Sequence, residues 1–319
     1  MRIGVPFLHE FWSSRHGQPN ATTDGPEWVR INTLLAGLRL GLRETFEFLL
    51  RHNPSFDEFE DWILALNDGS VSPTTVERLN AALSGHLNEP AVGDPVLSAA
   101  DLAFWEENGY LVVHNSITPE QCQAAVAAIC DFVGATLDNP DTWYNDQHGH
   151  TIWTPLLHHP ALQANRDAPR IHRAFAQLWG REDLWGNVDQ AGFNPPERPG
   201  WTFPGPYLHW DVSLAQPIPF GLQGILYLAD TAANQGAFQC VPGFHRKIED
   251  WLNALPEGAD PRAYDFTAEA VPIAGKAGDL VIWHHALPHG ASPNRATMPR
   301  IVQYLIHRPS EWGYNSVWR

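Results

Sequence analysis

The chain has 319 residues, 44% of them apolar, enough to bury a sizeable core in one large domain or two smaller ones. Thirty-six acidic side chains against 20 basic ones give a formal charge of −16, and the two lysines are Lys247 and Lys276. Such a surface repels phosphate backbones, which argues against nucleic-acid partners and against polyphosphate substrates such as CoA esters.

The opening "MRIGVPFLHEFW" lacks a basic lead and a continuous apolar stretch, so no signal peptide is expected. No apolar run further along approaches the ~20 residues that span a bilayer. Cys122, Cys130 and Cys240 are too few for a disulfide framework and fit free thiols in a reducing cytoplasm. Residues 1–90 read as a helical N-terminal region. "INTLLAGLRLGLRETFEFLLRH" (31–52) carries Leu and Phe at helical spacing and predicts one helix. "PSFDEFEDWILALNDG" (54–69) predicts a second, opened by a Ser55–Glu58 capping box and stopped at Gly69. "SPTTVERLNAALSG" (72–85) predicts a third, with Ser72 as cap, Pro73 at the first helical position and Gly85 past the end. The Pro- and Gly-bearing "HLNEPAVGDP" (86–95) reads as a linker.

From residue 98 to 319 the pattern changes. Ser98 with Asp101 caps a short helix, "YLVVHN" (110–115) follows as a strand, and Thr118, Pro119 and Gln121 open another helix through residue 133. Short strands between turn signals come next, clearest in "GLQGILYLAD" (221–230), "GAFQCVPG" (236–243) and "GDLVIWHH" (278–285). Many short strands with Gly/Pro turns predict a mainly β fold with flanking helices. Its core would be a jelly roll, the double-stranded β-helix of cupin-like proteins.

Within that frame "LHWDVSL" (208–214) sets His209 and Asp211 one residue apart in an apolar run. On a strand both would face one side and Trp210 the other. Alone, such a pair reads as a hydrogen-bonded His–Asp at a strand end. A third donor from "WHHALPHGASPNRATMPR" (283–300), which offers His284, His285 and His289, would make it a metal clamp. Two imidazoles and one carboxylate leave three adjacent positions open, as non-haem Fe(II) oxygenases require.

The pieces resemble the phytanoyl-CoA dioxygenase family of Fe(II)/2-oxoglutarate oxygenases, over about residues 98–307. "LAFWEENGYLVVHNSITPEQC" is similar to the family's opening helix–strand–helix and "LHWDV" to its H-x-D motif. "NQGAFQCVPGFHRK" resembles its N-G-x-L-x-V-x-P-G-S-H turn, and "GDLVIWHHALPHGASPNRATMPR" its closing stretch. The resemblance implies Fe(II) held by His209, Asp211 and His289, with 2-oxoglutarate as co-substrate and O₂ as oxidant. The family spacing from the distal histidine selects His289 over His284 and His285. It also selects Arg300 over the turn residue Arg295 as the 2-oxoglutarate anchor. His245 falls at a structural turn position.

Other polar contacts to 2-oxoglutarate are expected from Tyr227, which shares one strand face with Gln223 and Ile225, and from Gln190 on the strand before "NPP". Ser292 would stand in for a serine the family places where Ala291 is found. The aromatic stretches 141–160 and 198–207 nominate His148, His150, Trp153 and Trp201 as substrate contacts. A carboxylate at position 211 argues for a hydroxylase, since related halogenases carry a small residue there. The expected partner is a small or medium organic metabolite, and the sequence carries no signal for oligomeric state. Two other readings use the same residues: a mononuclear zinc hydrolase or isomerase, and a non-catalytic jelly-roll binding protein.

Overall fold

A computed structural model describes residues 2–15, 25–86 and 93–319. The N-terminal part forms five helices: α1 (Pro6–Arg15), α2 (Gly25–Gly37), α3 (Leu42–His52), α4 (Phe56–Leu66) and α5 (Pro73–Leu83). The single helix expected over 31–52 is therefore two. Leu38 and Leu40 are buried and prolong the apolar rhythm, which hides the break. Between Gly37 and Gly41, Arg39 adopts a left-handed conformation (φ 53°), and the amide of Asn67 donates to the freed Leu38 carbonyl at 3.0 Å. The predicted caps form: Ser55 and Glu58 close their box, and Ser72 accepts from the Thr75 amide. Most of the expected linker, like the boundary at residue 90, lies outside the described residues.

Next come α6 (Ala99–Asn108), β1 (Tyr110–Val113) and α7 (Pro119–Val133), the two helices carrying the capping boxes of Ser98 and Thr118. β2 (Trp153–Thr154), α8 (Pro160–Arg166), α9 (Pro169–Trp179), β3 (Leu184–Gly186), β4 (Ala191–Asn194) and β5 (Leu222–Tyr227) follow. The chain continues through β6 (Phe238–Cys240), α10 (Ile248–Ala254), β7 (Val271–Ile273), β8 (Leu280–His284) and β9 (His289–Ala291). It closes with β10 (Arg300–Leu305) and β11 (His307–Pro309).

All strand pairings are antiparallel. The larger sheet runs β1-β8-β5-β10-β4-β2, the smaller β7-β6-β9, and β11 pairs with β3. Its central strands are buried on both faces, which is why they read as continuous apolar runs. Ile225 and Tyr227 of β5 and Val281 and Trp283 of β8 pack with Phe238 and Cys240 of the smaller sheet. The alternate residues Leu222, Leu226, Leu280 and Ile282 pack with Ile129 of α7 and Phe175 of α9. Helices supply more residues than strands among those described, so the fold is a mixture of helix and antiparallel sheet and not mainly β. The strands are shorter than their apolar runs, and helices close the outer face of the sheet.

The first five helices build their own core around Leu34, Phe59 and Ile63. Trp185 of β3 joins it, with the Arg78 guanidinium 3.9 Å from its ring centroid. A parallel bridge between Gly41 and Val188 and a hydrogen bond between Glu44 and His158 (2.7 Å) tie α3 to the later part of the chain. No helix among the described residues is long and apolar enough to cross a membrane.

Candidate metal centre

His289 opens β9 and meets His209 in an isolated bridge, with two amide–carbonyl hydrogen bonds of 2.9 and 3.0 Å. The segment 208–214 is otherwise irregular, a correction to the strand expected there. Pro204, Pro206, Pro217 and Pro219 flank it, and prolines cannot donate to a ladder. The alternation survives locally nonetheless. Trp210 turns into the core and donates to the Ala286 carbonyl at 2.9 Å, while His209 and Asp211 face the site. Gly290 makes the close approach possible, since a Cβ there would stand 2.5 Å from the Tyr207 carbonyl oxygen.

His209 Nε2 lies 3.3 Å from Asp211 Oδ1, and His289 Nε2 lies 3.3 Å from Asp211 Oδ2. One ligand atom from each residue falls within 4.8 Å of the others. The opposite ring nitrogens, Nδ1 of His209 and of His289, contact the carbonyls of Tyr207 (2.7 Å) and Leu287 (3.0 Å). A carbonyl only accepts, so each Nδ1 carries the hydrogen and each Nε2 is left to present its lone pair to a cation. Burial alone would raise the Asp211 carboxyl, but hydrogen bonds from His209 and His289 outweigh it and hold the group far below the carboxylate range. The Gln223 amide donates to Asp211 Oδ2 at 2.8 Å and accepts from Trp283 Nε1 at 3.2 Å, fixing the carboxylate's orientation. This donor set fits a divalent transition metal.

The three residues line a cavity of about 140 Å³ together with Arg300, Tyr304, Gln190 and Trp153. Arg300 is fully buried on β10. Its Nη2 donates to the Tyr304 hydroxyl at 3.4 Å, its Nε has no partner, and no carboxylate pairs with it among the described residues. A buried guanidinium without a counter-charge is costly, so this cavity fits a ligand that brings a carboxylate of its own. Arg295, its rival, is exposed and lies 3.6 Å from Glu197.

The other expected residues divide. Gln190 lines the cavity from just before β4, not on the strand, and Trp153 lines it 4.8 Å from the Tyr304 ring. Tyr227 is a correction: its hydroxyl donates to the Ile273 carbonyl (2.7 Å) and accepts from the Phe238 amide (2.9 Å), leaving no hydrogen for a carboxylate. Ser292 likewise donates to the Ala237 carbonyl at 3.0 Å. Neither faces the cavity. His148 is buried and contacts the Phe193 carbonyl (3.0 Å), while His150 is exposed and contacts the Thr202 carbonyl (2.7 Å) beside Trp201, which packs behind the cavity wall. None of these three lines the cavity, a correction to the substrate contacts expected there. His284 is held neutral, pushed down to about 3 chiefly by burial, and its Nδ1 accepts from the Ala286 amide. His285 bonds the Pro219 carbonyl, so neither neighbour competes with His289. Tyr304 and Trp283 were not singled out by the sequence. Their own positions in "RIVQYL" and "LVIW" carry the only signal, that of alternation on strands facing the site.

A sequence model of the phytanoyl-CoA dioxygenase (PhyH) family matches residues 105–302. A Dictyostelium discoideum protein named as a phytanoyl-CoA dioxygenase is 24% identical over 256 residues, covering 63% of this chain and 73% of its own. An ectoine dioxygenase of Bordetella bronchiseptica is 24% identical over 240 residues, covering 67% and 76%. Among solved structures, a non-heme alpha-ketoglutarate-dependent carbocyclase from nogalamycin biosynthesis aligns at TM-score 0.48 and 19% identity. That alignment covers 70% of this chain and 90% of the other.

Proposed function

Because the chain belongs to the phytanoyl-CoA dioxygenase family, which uses Fe(II), 2-oxoglutarate and O₂, we propose that it oxidises a C–H bond of a small or medium organic metabolite. His209, Asp211 and His289 would hold the iron, and Arg300 the distal carboxylate of 2-oxoglutarate. Bound there, the metal and co-substrates supply oxidising chemistry with release of succinate and CO₂. The chain's own contribution is orientation. Tyr207 and Leu287 carbonyls fix the imidazole tautomers, Gln223 fixes the carboxylate, and Tyr304 supports the guanidinium. Burial of Arg300 and His289 keeps water from that end of the cavity.

Asp211 fills the position that a halide would need vacant, which favours hydroxylation over halogenation. The two facing sheets support a double-stranded β-helix over 98–319, with residues 1–90 as a helical N-terminal region packed against it. Three free buried cysteines support a reducing, cytoplasmic setting. The observation that carries the reading is Arg300, buried, without a carboxylate partner and on the same cavity as the triad. A zinc hydrolase has no use for that cation. The test is anaerobic reconstitution with Fe(II), followed by 2-oxoglutarate binding and succinate formation in the native chain and in Arg300→Gln. The variant should keep iron and lose 2-oxoglutarate. Full 2-oxoglutarate binding in Arg300→Gln would overturn the assignment.

A further inference from the structure

Next to the iron cavity lies a larger cleft of about 920 Å³, near the upper end for small-molecule sites. Asp189, Gln190, Asp211 and Ile306 line both, so the cleft opens directly onto the candidate metal ligand Asp211. One wall comes from the N-terminal helices, where Phe48 of α3 and Trp62 of α4 stack with centroids 4.3 Å apart. Trp312 and Trp318 of the C-terminal segment line it as well. None of these four residues lies in the aromatic stretches that the sequence nominated.

Several charged groups of the cleft have close partners. Arg43 and Arg51 both pair with Glu47, at 2.6 and 3.4 Å. Glu44 pairs with His158, and Asp211 lies between the two imidazoles. Arg308 is different. Its guanidinium lies 4.7 Å from the Trp312 ring centroid, and among the described residues it forms no ion pair and no side-chain hydrogen bond. Asp189 and Asp211 are the nearest acidic groups of the cleft, and neither forms a direct ion pair with it among the described residues. A planar guanidinium with free donors beside an aromatic wall suits a carboxylate borne on an apolar body.

We propose that Arg308 anchors a carboxylate of the primary substrate. The class is a medium-sized organic acid whose apolar body lies along Phe48 and Trp62. This rests on the iron and 2-oxoglutarate reading above and adds the substrate class to it.

Three probes of one skeleton test it: 3-phenylpropanoate, 3-phenylpropan-1-ol and 3-phenylpropylamine. Each is titrated anaerobically into the chain loaded with Fe(II) and 2-oxoglutarate, reading the visible charge-transfer band of that chelate. Aerobic succinate formation gives a second readout. The carboxylate should perturb the band at least tenfold more tightly than the alcohol or the amine. Arg308→Gln should keep the band and lose the preference, and Arg308→Lys should recover part of it. Equal response to all three probes, or an unchanged preference in Arg308→Gln, overturns the inference. So does loss of the 2-oxoglutarate band in Arg308→Gln, or displacement of 2-oxoglutarate by the acid, since either would put Arg308 in the co-substrate site. Failure of the native chain to form the band would instead sink the iron reading itself, and this inference with it.

Discussion

Replacing Gly290 by alanine perturbs the metal centre without touching a ligand. The new Cβ would stand 2.5 Å from the Tyr207 carbonyl oxygen, 2.8 Å from its carbonyl carbon and 3.2 Å from the Pro206 oxygen. All three are backbone atoms, so no side chain can swing aside. Restoring ordinary contact requires β9 and the 206–209 segment to separate by roughly 1 Å, a distance at which positioning effects on a site reach about 100-fold. The separation pulls on the two hydrogen bonds of the His209–His289 bridge, at 2.9 and 3.0 Å. Overpacking of this kind costs about 1–3 kcal/mol in stability. We expect Gly290→Ala to remain folded, with a thermal midpoint lower by several degrees. Its Fe(II) affinity should fall roughly 10- to 100-fold, the range for disturbing groups that orient metal ligands. The assay is anaerobic Fe(II) titration beside a thermal melt. Native iron affinity in a folded Gly290→Ala chain would refute the claim that this close approach sets the ligand geometry.

Gln223→Leu removes the amide that orients Asp211 and should weaken Fe(II) binding about 10-fold or more, as outer partners of metal ligands do. An unchanged titration would show that the Gln223–Asp211 contact is incidental. Tyr227→Phe leaves the Ile273 carbonyl and Phe238 amide unpaired inside the core and should cost about 1–3 kcal/mol of stability. Because that hydroxyl faces away from the cavity, 2-oxoglutarate affinity should not change, and a loss would restore Tyr227 to the site. His284 and His307 are pushed down to about 3, chiefly by burial, against an ordinary value of about 6.5 in an unfolded chain. The unfolded chain therefore binds more protons between those limits, and stability falls as pH drops from about 6.5 toward 3. In urea melts the loss between pH 7 and pH 5 should be smaller in His307→Leu, and an equal loss in both chains would contradict it.

Local chemistry made several features legible in the sequence. Capping boxes at Ser55, Ser98 and Thr118 depend on residues three apart, and the structure forms all three. The His209–Asp211 spacing was informative even though its strand was not, because Trp210 must be buried and forces its neighbours the other way. The His–Gly pair at 289–290 carried both a donor and the room for its partner to approach. Tyr227 and Gln223 share one face of β5, and alternation cannot tell that the smaller sheet takes up the Tyr227 hydroxyl while Gln223 meets Asp211. Leu38 and Leu40 hid a helix break for the same reason: apolar spacing reports burial, not backbone direction. The cleft was beyond the sequence altogether. Phe48, Trp62 and the segment bearing Arg308 and Trp312 lie apart in the sequence, and nothing local marks them as neighbours. The sequence determined which donors were available and how the chain folds around each. Only the tertiary structure decided which distant walls meet, because that follows from how whole helices and sheets pack and leave a gap between them.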